Sequence, residues 1–224
     1  MTMVKQKFLL KVAGPQHTKY AEIITEEMAS SAKARGTGIA KRSPEYIKTK
    51  MLEGKAVIAL SPEGEWAGFC YIEAWGHGKY VANSGLIVSP NFRKSGLARE
   101  IKKEVFKLSR AKYPDSKIFG LTTSPAVMKI NSELGYYPVG YSDLTDDEEF
   151  WKGCQSCVNY EILKSKNRQN CLCTAMLYVP KEQPQKPNVK LRKDFKQNIK
   201  LFERWVRMKK YVLLKKRKNK SKPQ

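Results

Sequence analysis

Residues 80–98, YVANSGLIVSPNFRKSGLA, decide the reading of this chain. They predict a strand over 80–88 that runs into a turn, Arg93-Lys94-Ser95-Gly96-Leu97-Ala98, at the start of a helix. Gly96 carries no side chain to hold an anion at a distance, and Ala98 adds little bulk. The first turn of a helix leaves backbone N–H groups without intrahelical partners, and such groups can cradle a pyrophosphate. Downstream, Leu97, Ile101, Val105 and Leu108 recur at helical spacing, with Glu100, Lys102, Lys103 and Lys107 expected on the other face.

The flanking sequence predicts a mixed fold. Residues 7–13 read as a first strand and 16–28 as a helix with Ile23, Ile24 and Met28 toward the core, before Gly36 and Gly38 break the chain. Ser43-Pro44-Glu45 has the form of a helix start, with Ser43 as N-cap and Pro44 at the first helical position, and this helix should reach about Leu52. Residues 56–60 and 67–75 are apolar and aromatic and flank Ser61-Pro62-Glu63-Gly64, a hairpin turn. Further on, 117–122 predicts a strand, 126–134 a short helix, and 157–163 with 171–178 a late hairpin. The expected class is α/β (α+β), a mixed, mostly antiparallel central sheet flanked by about four helices.

Of 224 residues, 43 are Lys or Arg and 21 are Asp or Glu, a net charge of +22. Residues 181–224 hold 17 of the basic residues against 3 acidic ones, so a mildly basic domain over 1–180 is expected to precede a linker and basic tail. No apolar run approaches the roughly 18 residues of a membrane span and no signal-peptide pattern opens the sequence, which predicts a cytoplasmic protein.

The turn and its surroundings resemble the acyl-CoA site of the GNAT N-acyltransferases. Arg93, Gly96 and Ala98 match that family's signature of Arg or Gln, two residues, Gly, one residue, then Gly or Ala. The helix closing on Leu134-Gly135-Tyr136 resembles the family's second CoA motif, and the resemblance covers roughly residues 5–180. It implies acetyl-CoA or another acyl-CoA as donor substrate. Its pyrophosphate would sit on Arg93, Lys94, Ser95, Gly96, Leu97 and Ala98, and its pantetheine arm along the backbone of Leu86, Ile87 and Val88, where the strand splays from its neighbour. The stretches CYIEAWGHGKYVANSGLIV and FWKGCQSC are similar to a bacterial subgroup linked with arginine biosynthesis, which implies a small amino acid, glutamate, as acceptor.

Amine acylation needs a base, because an ammonium has no lone pair with which to attack a thioester. Where many family members carry a glutamate on the fourth strand, this chain has Ala82 and Asn83, so Glu73 and His77 are the nearest candidates. The tyrosine that often protonates the leaving thiolate is replaced by Asn131. Between the first two helices, Arg35, Lys41 and Arg42 among small residues form either a carboxylate clamp or a solvated basic loop. Cys154, Cys157, Cys171 and Cys173 read either as zinc ligands brought together by the late hairpin or as half-buried thiols. In the tail, Phe195, Ile199, Phe202 and Val206 predict an amphipathic helix over 194–214. It either packs on its own domain or docks on nucleic acid or an anionic membrane. The second function class is therefore a non-catalytic or RNA-associated module with the same fold.

Overall fold

The computed structural model describes residues 7–36 and 41–180. Residues 37–40, the side chain of Arg35, and the tail 181–224 with its expected helix lie outside the described residues.

Seven strands form one sheet: β1 (Leu9–Val12), β2 (Ala56–Leu60), β3 (Trp66–Trp75), β4 (Tyr80–Val88), β5 (Lys117–Thr122), β6 (Tyr137–Val139) and β7 (Thr174–Tyr178). They lie in the order β1-β2-β3-β4-β5-β7-β6. β4 and β5 run parallel, and the other neighbouring pairs are antiparallel. Four longer helices, α1 (Ala21–Arg35), α2 (Pro44–Leu52), α3 (Leu97–Lys112) and α4 (Pro125–Glu133), accompany the sheet, with two short ones, α5 (Glu148–Lys152) and α6 (Tyr160–Ser165). This is the mixed, mostly antiparallel architecture that the sequence predicts.

Alternation along the strands divides the core between the two faces. Cys70, Ile72, Val81 and Ile118 pack with Ile101 and Val105 of α3, and Met128 of α4 joins them. The intervening Phe69 and Tyr71 pack with Ile24 and Met28 of α1 and Ile47 and Met51 of α2. On this same face, Ala82 and Phe119 meet Phe150 and Trp151 of α5 and Leu163 of α6. Fully burying one such aliphatic or Phe side chain is worth about 1.5–3 kcal/mol, so these three clusters hold the layers together.

Local signals explain most boundaries. Ser43 Oγ accepts from Tyr46 N at 3.2 Å and caps α2, as its sequence predicts. α1 differs: a 3-10 turn over Pro15–Tyr20 precedes it, and it runs past 28 to Arg35. Ala29, Ala32 and Ala34 offer no break there, and the chain leaves the helix only at Gly36, with φ 59. The late hairpin is also corrected. Tyr160–Ser165 is helical because Leu163 is buried and Tyr160 packs beside it, one helical turn earlier, while β7 pairs with β5 and β6 instead. β6 carries Pro138 at the edge of the sheet, the place where a missing N–H does least harm.

Candidate active site

The sheet opens where its one parallel pair parts. The register of β4 with β5 ends at Ala82 opposite Phe119, yet β4 continues to Val88 and β5 to Thr122. β5 follows β7, whereas β4 follows β3 through a bulge: β3 advances from Phe69 to Tyr71 while β4 moves from Ile87 to Ser84. Gly85 sits in the bulge at φ 63, and a Cβ there would lie 2.8 Å from Met28 Cε and closer still to the Tyr71 ring. Glycine is therefore required on two counts. Leu86 faces the opening, Ile87 is buried toward α1 and α2, and Val88 packs toward α3.

A cleft of about 690 Å³ follows this opening through the sheet. On the α1 and α2 face it is lined by Arg42, Tyr46, Lys50, Tyr71 and Glu73, and on the other by Lys102 and Asn131. Trp75, Phe119 and Phe150 stack and abut at 5.0–5.7 Å between centroids where the strands diverge, so this end of the opening is rigid and apolar.

Glu73 of β3 stands directly across from Ala82, at the end of the β4–β5 register, and is only 7 % exposed. Its Oε1 accepts from Arg42 Nη2 at 3.2 Å and from the Tyr46 hydroxyl. Arg42 Nε also donates to the Tyr71 hydroxyl at 3.0 Å, and Nη1 to the Lys41 carbonyl at 3.1 Å. Burial opposes the Arg42 charge, but Tyr71, Glu73 and Tyr46 together raise its pKa above the ordinary value. Burial, and after it the Glu73 charge, pushes both tyrosine hydroxyls well above the usual phenol range, so Tyr46 remains a protonated donor. Both bonds fall on one carboxylate oxygen. Among the described residues Oε2 has no hydrogen-bond partner.

The turn between β4 and α3 leaves a run of backbone N–H groups unbonded at the start of the helix. Lys94 at φ 64 and Gly96 at φ 87 are both left-handed, and among the described residues no hydrogen bond engages the N–H of Lys94, Ser95, Gly96 or Ala98. Leu97 N makes a long 3.4 Å bond to Ser95 Oγ. Outward N–H groups at a helix start form a concave site of positive potential. Arg93 is differently employed: Nη2 meets Glu27 at 2.5 Å and Ser31 Oγ at 2.8 Å, tying the turn to α1.

His77 lies exposed in a turn at φ 54 and is not part of the cleft lining. Lys41 reaches the cleft, and Arg42 does too but is already occupied by Glu73. The zinc expectation is corrected. Cys154 sits in a 3-10 turn, Cys157 just after it, and Cys171 and Cys173 precede β7, so the four thiols neighbour one another without the late hairpin. All four are free thiols, and among the described residues no group of three or more His, Cys, Asp or Glu is placed to hold a metal ion. Burial and the neighbouring thiols push Cys154 up to about 11 and Cys173 up to about 12.

Two lysines were not marked by the sequence. Lys50 lies 4.9 Å from the Tyr46 ring centroid in the cleft, with its pKa lowered by burial. Lys102, expected on the solvent face of α3, is instead 2 % exposed. Ala98, Lys102, Val105 and Ser109 recur at the same spacing as the apolar stripe, and that register is the signal that could have placed Lys102 inward. Asn131 is 1 % exposed, and its Oδ1 lacks any partner.

No family model matches the chain, and no curated protein matches it. Solved structures do. The N-acetylglutamate synthase of Neisseria gonorrhoeae, complexed with coenzyme A and N-acetyl-glutamate, is similar with a TM-score of 0.55 at 14% identity over 77% of this chain. This chain spans only 35% of that protein. A phosphinothricin acetyltransferase from Sinorhizobium meliloti in complex with AcCoA has a TM-score of 0.53 at 16% identity, covering 81% of this chain and 93% of that one. A GNAT-family acetyltransferase from Staphylococcus aureus reaches 0.56 at 12% identity, covering 78% and 99%. The architecture thus agrees with these neighbours: the chain has the GNAT acetyltransferase fold.

Proposed function

We propose that this chain is an acyl-CoA-dependent N-acyltransferase whose acceptor is the amine of a small amino acid. The observation that carries the reading is the parting of β4 from β5 after Ala82 and Phe119, with a free N–H turn at one end of β4 and the Glu73 carboxylate beside the opening. An extended amide arm can complete an open strand edge through main-chain hydrogen bonds, and a pyrophosphate suits unpaired N–H groups at a helix start. The donor would lie with its phosphates on Lys94 to Ala98 and its arm along Leu86, Ile87 and Val88.

In this reading the acceptor enters from the α1 and α2 face. Glu73 Oε2 takes a proton from the incoming ammonium, and the neutral amine attacks the thioester carbon through the gap. Arg42 and Tyr46 fix the carboxylate by holding Oε1. Lys41 and Lys50 supply positive charge for the acceptor's carboxylate. Glutamate is the first acceptor to try, since one neighbour is an N-acetylglutamate synthase complexed with N-acetyl-glutamate. Either an acetyl or a succinyl donor carries the same nucleotide handle.

The test is turnover with acetyl-CoA and succinyl-CoA against a panel of amino acids, with products identified by mass. An N-acylated amino acid is the expected product. Intact thioester with every amine, together with no binding of either donor, would overturn the proposal.

A further inference from the structure

Lys102 is a buried charge with no task in the acyltransferase reading. It sits on α3, lines the cleft, and among the described residues has neither a carboxylate nor a hydrogen-bond acceptor for its ammonium. Nζ lies 5.4 Å from the centroid of the Tyr136 ring, whose hydroxyl donates to Asn83 Oδ1 at 3.0 Å. Withdrawing a lone ammonium from water is destabilising, so packing alone does not account for this residue. Across the same cleft, on α4, Asn131 presents an amide oxygen with no donor. One face of the opening therefore offers a bare cation and a bare acceptor.

We propose that Lys102 donates the proton that the departing CoA sulfur takes up when the thioester breaks. The inference rests on the acyltransferase reading. Attack of the amine nitrogen forms the C–N bond, and collapse of the adduct breaks the C–S bond with its electron pair left on sulfur. The surplus nitrogen proton leaves through Glu73 or water. Lys102 gives one Nζ proton to sulfur, which yields the CoA thiol and a neutral lysine that solvent recharges. Position and chemistry agree: Glu73 stands on the acceptor face, and Lys102 on the face that carries α3 and the anion turn.

Acidity supports the assignment. Burial pushes Lys102 down to about 8, only partly opposed by Cys70 on β3. Cys70 is itself pushed up to about 11 by burial and is neutral at physiological pH, and burial keeps Tyr136 neutral as well. An acid near 8 is closely matched to an alkyl thiol of about 8.5, the condition under which proton transfer is most effective. Asn131, standing where the resemblance expected a tyrosine, has no proton of comparable acidity to give.

The experiment needs no acceptor. Thiolate absorbance of CoA bound to the full chain is followed against pH, with desulfo-CoA as blank and calorimetry on the same samples. In the wild type the bound thiol should ionise near the free-CoA value, because the Lys102 cation offsets the cost of burying a thiolate and keeps the two groups matched. In Lys102→Met and Lys102→Gln it should ionise about one unit or more higher. Equal titrations in all three CoA-bound proteins would overturn the role of Lys102 while leaving the acyltransferase reading intact. Loss of CoA binding in both variants alone would make Lys102 a binding residue and overturn the proposal. A wild type that binds no CoA would overturn the acyltransferase reading itself.

Discussion

Replacing Gly96 by glutamate should remove acyl-CoA binding without unfolding the protein. A Cβ at this position meets nothing within 4 Å, so the added side chain finds open space, and the fold has to bear only the left-handed backbone at φ 87. That strain is worth about 1–2 kcal/mol, and Gly96→Ala carries it without any charge. The glutamate adds a carboxylate where unbonded N–H groups of Lys94, Ser95 and Ala98 are expected to receive phosphate. At about 5 Å, each phosphate charge would be repelled by roughly 1 kcal/mol in water and about 3 kcal/mol at the lower dielectric of a protein surface. That corresponds to roughly 5- to 150-fold in Kd per charge, before any steric overlap. Calorimetric titration with acetyl-CoA reads it, with a thermal melt to confirm folding and a salt series to isolate the charge effect. A folded Gly96→Glu protein that binds acetyl-CoA as well as Gly96→Ala does would refute the assignment of the turn.

Three other substitutions test the cleft. Glu73→Gln keeps the bonds from Arg42 and Tyr46 possible but cannot take a proton, so kcat should fall roughly 10²- to 10⁴-fold with acetyl-CoA affinity preserved; an unchanged kcat would move the base elsewhere. Lys50→Met should raise KM for a carboxylate-bearing acceptor by roughly 10- to 150-fold and leave that for acetyl-CoA alone, which steady-state kinetics checks. Lys102→Met should stabilise the fold, with a definite pH dependence. The folded pKa of about 8 lies below the ordinary 10.5, so the unfolded chain binds more protons between those values and stability rises with pH across them. The penalty of about 3 kcal/mol is therefore full below pH 8, and the gain in melting temperature at pH 7 should shrink toward pH 10.5; equal melts at pH 7 would contradict it.

Local rules read well wherever a segment's fate was settled within a turn or two. Ser43 with Pro44 capped α2, the Ser61 to Gly64 turn joined β2 and β3, and the stripe from Leu97 to Val105 formed α3. Regions settled by distant partners read poorly. Tyr160–Ser165 became helical through packing on Phe150 and Trp151, and the short β6 exists only as the outer neighbour of β7. The site divided the same way. The conformation of Gly96 and its turn was legible because a glycine before a helical stripe is a backbone signal. Arg42 reads in the sequence as part of a substrate clamp or of a solvated loop, but Glu73, a residue 31 positions away, holds its guanidinium. Lys102 was misplaced because lysine on a helix is ordinarily solvated, and only the opening of the sheet beneath it gives a buried ammonium somewhere to point.

The central claim is that donor and acceptor meet through the gap between β4 and β5. A crystal structure of the chain with acetyl-CoA tests it most directly. The account predicts phosphates on the N–H groups of Lys94 to Ala98, an arm following Leu86 to Val88, and a thioester at the opening beside Ala82 and Phe119. Glu73 should stand on one side of that thioester and Lys102 on the other. Acetyl-CoA bound elsewhere, with the gap unoccupied, would contradict it.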